Sequence, residues 1–164
     1  MEVREGSMTP LFNKLNLGPH RDILVLNAPD GFERELAALV GVTVQRGPSE
    51  APTIAFALVF VSTLAEVEAA AATLLPKAVG DAVIWFAYPK GSSKRYRCEF
   101  NRDTGWAAVG VAGFESVRQV AIDEDWSALR FRRTEYVKKL TRDVSRISSS
   151  AGKSRARKTN TPAE

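Results

Sequence analysis

Residues 53–61 read TIAFALVFV and residues 81–88 read DAVIWFAY. Strands this continuously apolar need cover on both faces, which is the condition of a central parallel strand and not of one with a wet side. The segment between them has a different period. Leu64, Val67, Ala71, Leu74 and Leu75 fall on one helical stripe, Thr63 and Glu66 have capping-box spacing, and Pro76 ends the helix. Strand, helix, strand is a parallel crossover unit, and it commits the chain to a layered α/β fold.

The other segments extend that order. Residues 22–27 (DILVLN) form a short strand of the buried type, followed by the turn NAPDG. Asp30 is placed to cap a helix, with Glu33 at capping-box spacing and Phe32, Leu36, Leu39 and Val40 on one face. Gly41 closes that helix, residues 42–45 read as a short strand, and Pro48 and Pro52 break any continuation. After the second apolar strand comes a loop, PKGSSKRY. Residues 101–112 are predicted to be helical, with Asn101 or Asp103 as cap and Gly113 as stop. Residues 115–122 and 127–133 then read as an antiparallel pair joined by DEDW. The expected fold is three-layer α/β: a mostly parallel sheet with helices on both faces and a C-terminal antiparallel strand pair. It occupies residues 1–137 as a single domain, with 138–164 a basic tail expected to fray from helix into disorder.

Charge must be divided before it is used. The net +4 hides a tail (137–164) with eight basic and two acidic residues, while residues 1–136 hold 15 basic and 17 acidic and are mildly negative. Nucleic acid could therefore be met only through the tail, where no aromatic residue follows Tyr136 to stack on bases. A solubilising extension is the simpler reading. No run reaches the roughly 18–20 apolar residues that cross a bilayer, and the first ten residues have no apolar signal core. With a single cysteine, Cys98, no internal disulfide is possible, and the three features together point to the cytoplasm without a membrane partner.

The rhythm of residues 54–90 and the ending ESVRQVAIDEDWSALRFRR resemble the second half of a class I methyltransferase domain and the antiparallel pair that closes its sheet. Over residues 9–133 the chain also resembles a family of small bacterial proteins, a domain of unknown function, through TPLFNKLNL, LVLNAPDGF, IWFAYPKGSSK, FNRD and DEDWSALRFR. The resemblance implies a truncated, Rossmann-like methyltransferase fold and no established activity.

A methyltransferase lets its backbone approach S-adenosylmethionine at a glycine-bearing turn after the first strand, and an acidic residue ending the second strand holds the ribose. Here the turn carries Ala28 and Pro29, and the second strand ends in Gln45 and Arg46. Residues 47–53 leave little room for a helix, so one element of the usual sheet is missing. The expectation is a binding or interaction module that does not take S-adenosylmethionine in the usual way; the alternative is a divergent methyltransferase. A sheet short of an element exposes an edge or face, for which a second copy, a homodimer, is the expected cover.

Candidate ligand residues are Asn27 and Asp30 after the first strand, and Lys90, Ser92, Ser93 and Lys94 in the loop around Gly91. The loop should lie at the same sheet edge as Asn27, where α/β folds collect ligands, and its cations and hydroxyls suit a phosphate, a carboxylate or an anionic protein partner. It lacks P-loop spacing, and a solvated basic turn is its bland reading. Arg102 and Asp103 are read first as a helix-start pair. Asp123, Glu124 and Asp125 lack EF-hand spacing, and zinc fails on count with one His and one Cys. His20 lies in a polar turn with no nucleophile placed beside it. The residues name neither a cofactor nor a catalytic set.

Overall fold

The computed structural model describes residues 9–47 and 52–137; the tail expected at 138–164 lies outside the described residues. Six strands, β1 (Asp22–Leu26), β2 (Thr43–Gln45), β3 (Ile54–Phe60), β4 (Ala78–Pro89), β5 (Phe114–Ala121) and β6 (Trp126–Arg133), form one sheet in the order β2-β1-β3-β4-β6-β5. The first four are mutually parallel, with Leu24 opposite Ala57 and Leu58 opposite Trp85. β6 runs antiparallel to β4, Ile84 facing Phe131, and β5 antiparallel to β6. No helix among the described residues is long and apolar enough to cross a membrane.

Among the described residues, the helices α1 (Pro10–Lys14), α2 (Glu33–Ala37), α3 (Leu64–Leu74) and α4 (Ala107–Val111) cover the two faces. Alternation along β3 and β4 sends Phe56, Leu58, Trp85 and Ala87 to one side, where they meet Phe12 and Leu15 near α1 and Phe32 and Leu36 near α2. Ala57, Val59, Ile84 and Phe86 face the other side and meet Val67, Ala71 and Leu74 of α3 and Val109 of α4. Both sets are buried, at about 1.5–3 kcal/mol for each large apolar side chain, and this explains why β3 and β4 are apolar throughout.

Several local expectations are corrected. α2 is a single turn behind a 3-10 turn at Asp30–Phe32; its N-cap is Phe32, and Asp30 caps nothing. Val40 is 65% exposed and does not belong to the buried face. Glu33 turns outward to a bidentate pair with Arg46 at 2.7 and 2.9 Å, which outcompetes the capping geometry. The helix expected from Asn101 begins only at Ala107. The Asn101 side chain accepts from the amides of Asp103 (2.8 Å) and Thr104 (3.1 Å), closing a turn, and Gly105 at φ +91° leaves helical space. At α3 the capping box is present as expected, although Leu64, in its first turn, is 41% exposed. α1 was not foreseen. Thr9 Oγ1 accepts from Phe12 N, and Trp85 Nε1 donates to Leu15 O at 2.7 Å, anchoring the end of the helix on the sheet.

A candidate ligand edge

The chain leaves β1 toward β2 on one side, and β3 leads to β4 on the other. The topological switch point, where open α/β sheets bind ligands beyond the strand ends, therefore lies between the carboxyl ends of β1 and β3.

Asn27 follows β1 at φ +60°. This left-handed conformation is the one a glycine would take here, and asparagine is among the few other residues that adopt it readily. Its Nδ2 donates to Phe60 O at 3.2 Å, stapling the ends of β1 and β3 together across the switch point. Below the staple a file of rings fills the edge on the α1 side. Phe32 lies 4.9 Å from Phe60, Phe60 5.1 Å from Trp126, and Trp126 5.0 Å from Tyr96.

The start of α3 is also engaged from within. Glu66 Oε1 accepts from the amides of Ser62 (2.7 Å) and Thr63 (3.2 Å), and Thr63 Oγ1 accepts from Glu66 N. Glu99 Oε1 accepts from Leu64 N at 2.9 Å, while its own amide donates to Ser62 O at 3.0 Å. Three successive amides where an anionic ligand would approach, those of Ser62, Thr63 and Leu64, are thus held by the protein's own carboxylates. Glu66 was legible from its spacing to Thr63. Glu99, 35 residues from its partner, carried no local signal.

The loop after β4 is shaped from beneath. Lys90 N donates to Asp125 O (2.8 Å), and Ser93 Oγ donates to Asp125 Oδ1 (2.9 Å) while accepting from the amides of Arg95 and Tyr96. Asp125 is 8% exposed. Asp123 Oδ1 accepts from the amides of Asp125 and Trp126, so two carboxylates of the DEDW turn act as internal acceptors. Among the described residues no group of three or more His, Cys, Asp or Glu is arranged to hold a metal ion. Gly91, Ser92 and Lys94 are exposed and Lys90 half-buried. Among the described residues neither lysine ammonium has a hydrogen bond or ion pair. Asn27 and Asp30 share this edge with Lys90–Lys94 but do not touch them. β3 lies between, and two strand spacings amount to roughly 10 Å.

The remaining candidates fall elsewhere. His20 precedes β1, at the opposite end of the sheet, with its ring 5.9 Å from that of Phe56. Arg102 and Asp103 form a loose exposed pair at 3.9 Å. Burial pushes the Cys98 thiol above its ordinary value, the wrong direction for a nucleophile. Burial likewise raises Tyr88, whose hydroxyl accepts from Gln119 Nε2 at 2.7 Å inside the aromatic cluster with Phe100 and Trp106.

Strand order, a switch point between β1 and β3, and an antiparallel closing pair define a methyltransferase-like Rossmann fold with a six-stranded mixed sheet. No family model and no curated protein matches the chain. Among solved structures it is similar to the N-methyltransferase NodS from Bradyrhizobium japonicum WM9 (12% identity, TM-score 0.49, 75% of this chain and 92% of that one). It is also similar to the pyocyanin biosynthetic protein PhzM (11%, 0.47, 75% and 54%). A third similar structure is TrmN from Thermus thermophilus (11%, 0.46, 79% and 50%). The chain spans about half the length of PhzM and of TrmN.

Proposed function

We propose that this chain is a binding module on a methyltransferase-like fold, which receives an anionic group at the Lys90–Lys94 loop and does not bind S-adenosylmethionine in the usual way. The observation that carries the reading is the contrast between two parts of one edge. At the switch point, the Asn27 amide ties β1 to β3, and the amides of Ser62, Thr63 and Leu64 leading into α3 already have carboxylate acceptors in Glu66 and Glu99. Beside it, a loop braced by Asp125 presents Lys90 and Lys94 with no protein partner among the described residues. The position after β2, where a carboxylate would hold a ribose, carries Arg46 paired to Glu33. Lys90, Ser92 and Lys94 then contact the ligand, Ser93 keeps the loop in shape, and Asn27 and Asp30 border the site.

Thermal-shift titrations with ATP, S-adenosylmethionine and S-adenosylhomocysteine test this, since a ligand that binds only the native state raises the melting temperature as it passes its dissociation constant. The expected result is a saturable shift with ATP that the Lys90→Ala/Lys94→Ala double variant loses, and no shift with the adenosyl ligands. A saturable shift with the adenosyl ligands alone overturns the reading and makes NAPDG a divergent cofactor turn.

A further inference from the structure

The sheet face that carries α1 ends in a group of cations the ligand edge does not involve. Arg130 on β6 and Arg118 on β5 are register partners, so their side chains leave the same face of the sheet. Arg130 Nη1 donates to Asn16 Oδ1 at 3.2 Å, and Arg118 Nη1 reaches the same oxygen at 3.5 Å. Two guanidinium groups thus share one neutral amide oxygen. A carboxylate on this face, Asp81, already has both oxygens on Arg132.

Arg130 is half-buried, and its Nε is buried with no acceptor among the described residues. Burial comes first in disfavouring its charge, and the Arg132 and Arg118 charges add to that effect while Asp81 opposes it. An arginine so placed ordinarily faces an anion. Its surroundings are rigid. Asn16 stands at φ +62° directly after α1, Lys14 Nζ donates to Ala121 O at 2.9 Å, and Trp85 Nε1 holds Leu15 O. Because the two guanidinium groups come from different strands, they offer donors around a point and not one planar fork. That arrangement suits a tetrahedral oxyanion better than a flat carboxylate.

We propose that Asn16, Arg118 and Arg130 form a second site, on the α1 face of the sheet, that binds a phosphate group. It is separate from the Lys90–Lys94 loop. Arg130 pairs with Trp85, four residues before β4 ends at Pro89, about 13 Å back along the strand.

Inorganic phosphate and glycerol 3-phosphate are titrated in parallel at constant ionic strength, with chloride as the reference salt, and the melting temperature is followed. The wild type is expected to show a saturable rise beyond chloride with at least one of the two, the larger rise telling a free phosphate from an esterified one. Arg118→Gln, at an exposed position, should weaken that binding at least tenfold and fold normally. Asn16→Asp should melt above the wild type without phosphate, because it supplies the missing anion, and should show no further rise with it. Lys90→Ala/Lys94→Ala should keep the phosphate response, so the failure of one site is distinguishable from the failure of the other. No rise beyond chloride overturns the proposal, as does an unchanged response in Arg118→Gln or Asn16→Asp.

Discussion

Replacing Asn27 by glycine and by alanine separates the two things that residue does at the switch point. Its side chain donates to Phe60 O, and its backbone sits at φ +60°. Both variants lose the hydrogen bond, about 1 kcal/mol for a typical intramolecular pair. Alanine then also meets the left-handed penalty, about 1–2 kcal/mol for an ordinary L-residue. Glycine escapes that penalty but gives the unfolded chain extra freedom, about 0.4–1 kcal/mol. The sums place Asn27→Ala at about 2–3 kcal/mol of lost stability and Asn27→Gly at about 1.5–2 kcal/mol. The order is the informative part: at an extended or helical position alanine is the more stable of the two, and here glycine should be.

Urea denaturation followed by circular dichroism, with equal m-values required across the series, reads these differences directly. If Asn27→Ala proves as stable as Asn27→Gly or more so, the left-handed turn is not constraining the edge, and the argument that asparagine stands in for a glycine here is wrong. If both cost less than about 0.5 kcal/mol, the Phe60 staple contributes nothing and the switch point is not closed by it.

The other perturbations probe the frame around the two sites. Thr63→Ala removes one half of the α3 capping box and should cost about 1 kcal/mol in denaturant. Gly105→Ala would place a Cβ 2.5 Å from Phe100 Cβ at φ +91°, so a loss of about 2–3 kcal/mol is expected, with a weakened near-ultraviolet signal from Trp106; a near-neutral result would mean that turn is loose. The Arg132 guanidinium holds the Asp81 carboxyl below its ordinary value. With the folded value depressed, the pair's contribution is full above the unfolded pKa near about 4 and is lost as pH falls through the folded one. The stability gap between wild type and Asp81→Asn should therefore shrink progressively as pH falls below about 4, and a gap that stays constant through that range would refute the pairing.

What could be read from the residues divides by the range of the forces involved. β3, β4, α3 and the closing strand pair were legible because their signals are local: an unbroken apolar run, a 3.6-residue stripe with a Thr63–Glu66 box, alternation around a turn. α4 is shorter than its segment suggests because Asn101, a good cap by type, spends its side chain on a turn of its own. α1 does carry a local signal, Thr9 as N-cap with Pro10 at the first helical position, but in a helix of five residues it is a brief one. At the edge, the lysine loop was legible by type and position, whereas the Glu99 bond to Leu64 N and the Asp125 bond to Ser93 join residues more than thirty apart. Nothing in a local window could have paired them.

Those long-range bonds also decide how a domain whose first 136 residues are mildly acidic presents basic surfaces. Six of its carboxylates are engaged by close partners. Glu33 serves Arg46, Asp81 serves Arg132, Glu66 and Glu99 accept helix amides, and Asp123 and Asp125 accept within one turn. A carboxylate that accepts an amide hydrogen bond keeps its charge but offers fewer lone pairs to a mobile ammonium, and at the ionic strength of a cell the attraction between exposed groups fades within about 8 Å. What a ligand meets at close range is therefore set less by net charge than by which cations lack a bonded acceptor. Among the described residues Lys90 and Lys94 have none and share one loop, and Arg118 and Arg130 have only a single neutral amide oxygen between them. Composition alone would have sent the search for anions to the tail, whereas the hydrogen-bond pattern of the folded domain directs it to these two places.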